Sequence, residues 1–188
     1  MKFSPETAIH YLKPGGFFFL KKPGVIRTVL GSCVTVTMFA RSKGIGAACH
    51  PILPECRETK KACYFAGCQD KFRYVECVIP EMIRLFRKER IKSEDLEVKL
   101  FGGSEMITNN NPVPQVIRVG LMNIEMTLNV LHSFDIQPTS RDTGGNLGRR
   151  LFFDTATGDV WIRKVTSSTA TVFEKNDFQK QLVMQRKG

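Results

Sequence analysis

Residues 33–50 read CVTVTMFARSKGIGAACH, and this stretch decides the fold of the centre of the chain. Over residues 33–40, valine and methionine alternate with cysteine and threonine, which is the period-two pattern of a β-strand. The polar residues 41–44 predict a turn, and the small residues of 45–50 predict a returning strand. The segment therefore predicts a β-hairpin.

The turn fixes which side chains of this hairpin share a face. A loop of two or of four residues gives the same register, in which Thr35 lies opposite His50. Because successive side chains of a strand alternate between faces, Cys33 then lies on the face of His50 as its diagonal neighbour. Cys49 points to the opposite face. The hairpin thus predicts that Cys33 is the cysteine that meets His50, and that Cys49 belongs to the core.

A cysteine that faces a histidine indicates either simple packing or nucleophilic catalysis. An unperturbed thiol has a pKa of about 8.5, so Cys33 needs a base, and the imidazole of His50 can accept its proton. Gly31 and Ser32 put small residues beside Cys33, so that backbone N–H groups can approach a developing oxyanion. Thr28 in the preceding strand can accept a hydrogen bond from the far ring nitrogen of His50 and hold its tautomer.

Helical and extended patterns are mixed along the rest of the chain. Apolar spacings of three and four predict helices at residues 74–90 and 119–134. The second helix carries its apolar stripe on Leu121, Ile124, Leu128 and Leu131. Residues 54–73 predict a loop. Further strands are predicted at residues 16–20, 25–30, 96–101, 150–154 and 159–165.

These elements predict an α/β fold with mixed β-sheets layered with two main helices. Strands and helices do not alternate regularly, which argues against a doubly wound parallel sheet. With no long linker, repeat or low-complexity block, residues 1–188 are predicted to form a single domain. Its core spans about residues 14–165, and a polar tail at 166–188 adds one edge strand at 170–173.

Composition limits the classes of function. The chain of 188 residues has no apolar run near the roughly 20 residues of a membrane-spanning helix, and its first residues lack the apolar core of a secretory signal, so we expect a cytoplasmic protein with reduced thiols. The 28 Lys and Arg against 18 Asp and Glu give a net charge of +10. The basic residues are scattered, which is typical of a solvated surface rather than of a nucleic-acid site.

A metal-binding module is the first alternative to a hydrolase. It would use the cysteines and the histidine at positions 49, 50, 56, 63, 68 and 77. Structural zinc sites usually contain close cysteine pairs two to four residues apart, and the spacing here is wider on average. Residues 142–146, DTGGN, lack the Gly-Lys-Ser/Thr ending of a phosphate-binding loop and are interpreted as tight turns beside the active site. No metal and no other cofactor are therefore expected.

Five strings occur in the order of a known family. Residues 23–34 read PGVIRTVLGSCV and residues 50–54 read HPILP. Downstream stand FGGSEM at 101–106, VGLMNI at 119–124 and DTGGNLGR at 142–149. Taken together, these strings closely resemble the chemoreceptor glutamine deamidases, the CheD family of bacterial chemotaxis. The resemblance spans about residues 14–165.

The resemblance implies a function and a set of roles. Cys33 would be the nucleophile, His50 the base and Thr28 the residue that orients the base. The reaction would be hydrolysis of glutamine side-chain amides in methyl-accepting chemoreceptors through a Cys thioester, and methyl esters would pass through the same acyl-enzyme. The implied partners are the cytoplasmic domains of the receptors and a CheC-type phosphatase. A non-catalytic module that only binds these partners is the second alternative.

Overall fold

The computed structural model describes residues 7–56, 68, 70–105 and 118–165. Within them the chain forms strands and two α-helices. The strands are β1 (Ile9–Tyr11), β2 (Phe17–Leu20), β3 (Val25–Leu30), β4 (Val34–Ala40), β5 (Ile45–Cys49), β6 (Glu97–Gly102), β7 (Ser140–Thr143), β8 (Gly148–Asp154) and β9 (Val160–Val165). The helices are α1 (Val75–Lys88) and α2 (Val119–His132).

The strands form two sheets with mixed strand directions. The outer sheet has the order β1-β3-β8-β9, and the central sheet has the order β2-β5-β4-β6-β7. In each sheet one pair is parallel, β1 with β3 and β6 with β7, and the remaining pairs are antiparallel. The predicted fold class, an α/β domain of mixed sheets with two main helices, is confirmed.

The central sheet is buried on both faces, which places the hairpin β4–β5 in the middle of the molecule. One face packs against α1 and α2 through alternate residues such as Val36, Met38 and Cys49. The other face packs against the outer sheet through residues such as Phe39 and Ala48. Every residue of β4 and β5 is buried, so this hairpin presents one set of side chains to the helices and the other to the outer sheet.

Two strands escaped sequence-based prediction. β1 is only three residues long and sits at the edge of the outer sheet, and β7 reads SRDT, with two of its four residues exposed. Neither segment has the alternating apolar pattern from which a strand is recognised. The predicted edge strand at 170–173, the polar tail and most of the predicted loop at 54–73 lie outside the described residues.

The predicted apolar stripe of α2 is wrong at its first position. Leu121 is 37% exposed, while the fully buried positions of the helix are Gly120, Asn123, Thr127 and Leu131. The start of α2 packs directly on the backbone of Gly103, where a side chain at position 120 would collide with the Gly103 carbonyl. Close backbone approach requires small residues there, and this requirement overrides the apolar periodicity.

Neither α1 nor α2, the α-helices of the described part of the chain, is long and apolar enough to cross a membrane.

Candidate active site

The hairpin β4–β5 has the predicted register. Ala40 pairs with Ile45 and Val36 pairs with Cys49. A hydrogen bond of 3.4 Å from the Val34 N–H to the Pro51 carbonyl continues the same register beyond the end of β5. Continuing the alternation puts Cys33 and His50 on the face of the outer sheet, one diagonal step apart.

The packing of the two cysteines agrees with this assignment. Cys33 is partly buried and packs against the cluster between the two sheets. Cys49 is fully buried in the cluster under the helices, where its thiol lies 3.8 Å from the Val36 carbonyl. The prediction that Cys49 is a core residue is confirmed.

His50 is hydrogen-bonded to Thr28, which lies in the other sheet. The Nδ1 atom of His50 lies 2.8 Å from the Thr28 hydroxyl, and that hydroxyl lies 2.7 Å from the Leu12 carbonyl oxygen. A carbonyl oxygen only accepts hydrogen bonds, so the single hydroxyl proton of Thr28 is donated to Leu12. Nδ1 must therefore carry a proton and donate it to Thr28. The other ring nitrogen, Nε2, is left with a free lone pair, which is the tautomer that a general base requires.

The backbone N–H and C=O of His50 are both hydrogen-bonded to the turn that precedes β2. The Gly15 N–H donates to the His50 carbonyl at 2.7 Å, and the His50 N–H donates to the Gly16 carbonyl at 3.0 Å. Since the imidazole is only 1% exposed and tied to Thr28, the ring is held in one orientation.

Burial keeps both the histidine and the cysteine uncharged. Loss of solvation lowers the pKa of His50 to about 4, against a weaker opposing effect of the Leu12 carbonyl. Burial raises the pKa of the Cys33 thiol to about 11, although its own backbone N–H works in the opposite direction. Near neutral pH Cys33 is therefore a neutral thiol and His50 a neutral imidazole. Such a pair suits proton transfer at the moment of attack rather than a preformed thiolate.

The turn that carries Cys33 is held by its carbonyl groups. The Ser104 N–H donates to the Gly31 carbonyl and the Gly103 N–H donates to the Cys33 carbonyl, both at 2.8 Å. The Asn123 side chain donates to the Ser32 carbonyl at 3.1 Å. In a trans peptide the C=O of one residue and the N–H of the next point in opposite directions. The N–H groups of residues 32 and 33 consequently point away from the groups that bind these carbonyls.

Gly102 makes the close approach to this turn possible. It has a φ of +103°, a conformation that is open to glycine, and a side chain on it would collide with the Cys33 carbonyl oxygen. Gly102 is thus explained by its contact with the turn at Cys33. At Gly103, which has a φ of +66°, a side chain would collide with Ile124 and with the Gly120 carbonyl of α2.

A buried arginine binds the segments that adjoin the turn at Cys33. Arg149 is 2% exposed and donates to the Asp142 carboxylate at 2.7 and 3.0 Å, to the Gly144 carbonyl at 2.8 Å and to the Ser104 hydroxyl. The segment 142–146 therefore serves as a turn around this guanidinium. The first two residues of the segment, Asp142 and Thr143, are the last residues of β7.

A surface depression of about 350 Å³ adjoins the site. Its lining consists of Gly103, Glu105, Leu121, Ile124, Gly144, Gly145 and Asn146. Gly103 lines the depression, and its N–H also donates to the Cys33 carbonyl.

The part of the chain that the structure describes contains no cluster of side chains that would support the metal-binding alternative. Within those residues no three His, Cys, Asp or Glu side chains are grouped so as to hold a metal ion. Cys49 and His50 belong to opposite faces of the hairpin, and Cys63 lies outside the described residues.

Two contributors to the site were not predicted as site residues from the sequence. The Leu12 carbonyl is a backbone group and leaves no mark in a sequence pattern. Asn123 enters the sequence interpretation only as part of the string at 119–124. A polar side chain on a helix of predominantly apolar residues is the feature of the sequence that indicates such a role.

Comparisons with known proteins point to one family. The family model described as CheD chemotactic sensory transduction matches residues 53–164. A probable chemoreceptor glutamine deamidase CheD 2 of Geobacter sulfurreducens is 39% identical over 166 residues, which cover 88% of this chain and 96% of that protein. A probable chemoreceptor glutamine deamidase CheD of Maridesulfovibrio salexigens is 35% identical over 156 residues, covering 82% of this chain and 91% of that protein.

Among solved structures, a hypothetical protein of Bacillus licheniformis aligns with 76% of this chain and 60% of its own length. The TM-score is 0.38 and the identity is 10%, which is too low a similarity to indicate a shared function.

Proposed function

Because this chain belongs to the CheD family, we propose that it is a chemoreceptor glutamine deamidase that acts in the cytoplasm. Its substrates are glutamine side chains of the cytoplasmic domains of methyl-accepting chemoreceptors. Its products are glutamate side chains and ammonia. The catalytic residues are Cys33 as nucleophile, His50 as general base and Thr28 as the residue that orients the base.

One observation carries this proposal, the hydrogen-bonded chain from His50 through Thr28 to the Leu12 carbonyl. A buried neutral imidazole has one nitrogen that donates and one that can accept a proton. Here the chain leaves Nε2 unprotonated, and Cys33 stands on the same face of the hairpin. A cysteine, a histidine in the basic tautomer and a residue that holds the histidine are the three parts of a nucleophilic hydrolase.

The reaction proceeds in two steps. In the first, Nε2 of His50 takes the thiol proton while the sulfur of Cys33 bonds to the amide carbon of the glutamine. The proton then passes to the leaving nitrogen, the C–N bond breaks, and ammonia departs from a thioester. In the second, His50 takes a proton from water, which attacks the thioester carbon. The C–S bond breaks, the thiol regains its proton, and the product is glutamate.

The direct test is deamidation of a purified receptor cytoplasmic fragment. Wild-type protein should release ammonia in proportion to a mass gain of about one dalton at particular glutamines. A fragment in which those glutamines are replaced by glutamate is the matched control and should release none. Binding of the fragment without ammonia release would favour the non-catalytic alternative and contradict the proposal.

Replacing Thr28 tests its orienting role. Thr28→Val removes the hydroxyl while keeping the shape, so Nδ1 and the Leu12 carbonyl both lose their partner. We expect kcat to fall by about 10- to 100-fold and the free energy of unfolding to fall by about 1–3 kcal/mol. Thr28→Ser retains the hydroxyl and should recover most of the activity. Equal activity of the Val and Ser variants would contradict the role.

The same acyl-enzyme admits a second substrate. We propose that receptor glutamate methyl esters also react with Cys33, with methanol leaving in place of ammonia. A CheC-type phosphatase is proposed as a further partner, by the sequence resemblance described above. Methanol release from a methylated receptor fragment, and its inhibition by such a phosphatase, would test both.

A further inference from the structure

Asn123 joins the two segments that carry the nucleophile and the base. Its amide nitrogen donates to the Ser32 carbonyl at 3.1 Å and to the Ile52 carbonyl at 3.2 Å. These partners are 91 and 71 positions away in the sequence. Both are carbonyl oxygens, which only accept, so the nitrogen rather than the oxygen of the amide must face them.

The other end of this amide shows why the residue is asparagine. Asn123 is fully buried, and its Oδ1 atom has no hydrogen-bond partner among the described residues. Burying an unsatisfied acceptor is unfavourable, and an apolar residue would avoid it. The side chain is therefore explained by its two donated hydrogen bonds and not by general packing.

The bond to Ser32 sets the direction of the next peptide N–H. The Ser32 carbonyl points toward α2, so the Cys33 N–H, which shares its peptide plane, points the opposite way. α2 covers the helix side of the central sheet, whereas the Cys33 side chain packs on the side of the outer sheet. The Cys33 N–H is thus directed toward the side on which the thiol lies.

Resting on the function proposed above, we infer that Asn123 is a positioning residue that aims the Cys33 N–H at the oxyanion. When the thiol adds to the glutamine amide, the carbonyl oxygen becomes negatively charged. A donor held in place before the reaction stabilises that charge without having to reorganise. Asn123 touches neither the substrate nor the reacting atoms, and it acts through the Ser32–Cys33 peptide.

The experiment separates oxyanion stabilisation from the reactivity of the thiol. Asn123→Leu has nearly the same size and no donor. We expect its kcat for ammonia release to fall about 100-fold, with KM changed less than threefold. Alkylation of Cys33 by iodoacetamide, followed by mass spectrometry of its peptide, should keep the wild-type rate. Alkylation displaces iodide and forms no oxyanion.

Thr127→Val is the matched control for loss of stability. Its hydroxyl donates to the Asn123 backbone carbonyl at 2.7 Å within the same buried face of α2. This variant should lose stability and keep kcat within twofold. Asn123→Ser, which keeps a single donor on a smaller side chain, provides a second test should the leucine variant not fold, with an expected loss of about 10-fold.

Each outcome decides the inference. A selective loss of kcat in the Asn123 variants, with alkylation unchanged, supports it. Unchanged kcat, or kcat and alkylation falling together, overturns it and makes Asn123 a structural residue. If the wild-type protein itself releases no ammonia, the proposed function fails and this inference fails with it, an outcome that is visible before any variant is compared.

Discussion

Cys33→Ala should reduce ammonia release from a receptor fragment by about a thousandfold or more. The Cys33 sulfur is the only protein atom that bonds to the substrate carbon in the proposed mechanism. No other group of the site therefore replaces it. Because Cys33 is only partly buried, the truncation should cost little stability. The measurement is the initial rate of ammonia release at saturating fragment, compared with wild type.

Cys49→Ala is the matched control for this result. It removes the same atom from a neighbouring strand, but on the face that packs against the helices. The expected effect is a loss of stability of about 1 kcal/mol from the cavity, with kcat retained. Ammonia release by Cys33→Ala at the wild-type rate would contradict the nucleophile assignment. Selective loss of activity in a folded Cys49→Ala variant would likewise contradict it, because the nucleophile would then lie on the face that packs against the helices.

Acidification should destabilise the protein through His50. In the folded protein burial holds the pKa of His50 at about 4, whereas an unfolded chain has the ordinary value of 6.5. Between these values the unfolded state binds more protons, so the free energy of unfolding falls as the pH falls through this window. The stabilisation is complete above pH 6.5, and about 3 kcal/mol of it is lost by pH 4.

Urea denaturation at several pH values between 7 and 4 measures this dependence, and two histidine variants assign it. His50→Gln should flatten the curve in this window and also abolish ammonia release, because the amide cannot act as a base. His132→Gln, at an exposed position of α2, should follow the wild-type curve. A His50→Gln variant that retains the full wild-type pH dependence would show that another group causes it.

Strand parity was the part of the site that the sequence could predict by physical reasoning. An even-numbered loop admits one register for the hairpin, and the observed pairing of Ala40 with Ile45 has that register. The assignment of Cys49 to the core followed from the same parity and is confirmed. Local patterns were sufficient because Cys33 and His50 adjoin consecutive strands.

Contacts between distant segments could not be predicted in the same way. The hydrogen bond from Asn123 to Ser32 depends on where α2 lands on the central sheet, which no local pattern determines. The Leu12 carbonyl depends on the course of β1, whose three residues carry no alternation. The apolar stripe predicted for α2 is wrong at Leu121, since the start of the helix lies against the backbone of Gly103.

The hydrogen bond between Thr28 and His50 links reactivity to complete folding. Cys33 and His50 adjoin the hairpin of the central sheet, whereas Thr28 lies in β3 of the outer sheet and Leu12 directly follows β1 of that sheet. In the proposed mechanism, the imidazole is held in the tautomer that a base requires only where the two sheets are packed together. We therefore expect the proposed deamidation to require a fully assembled domain.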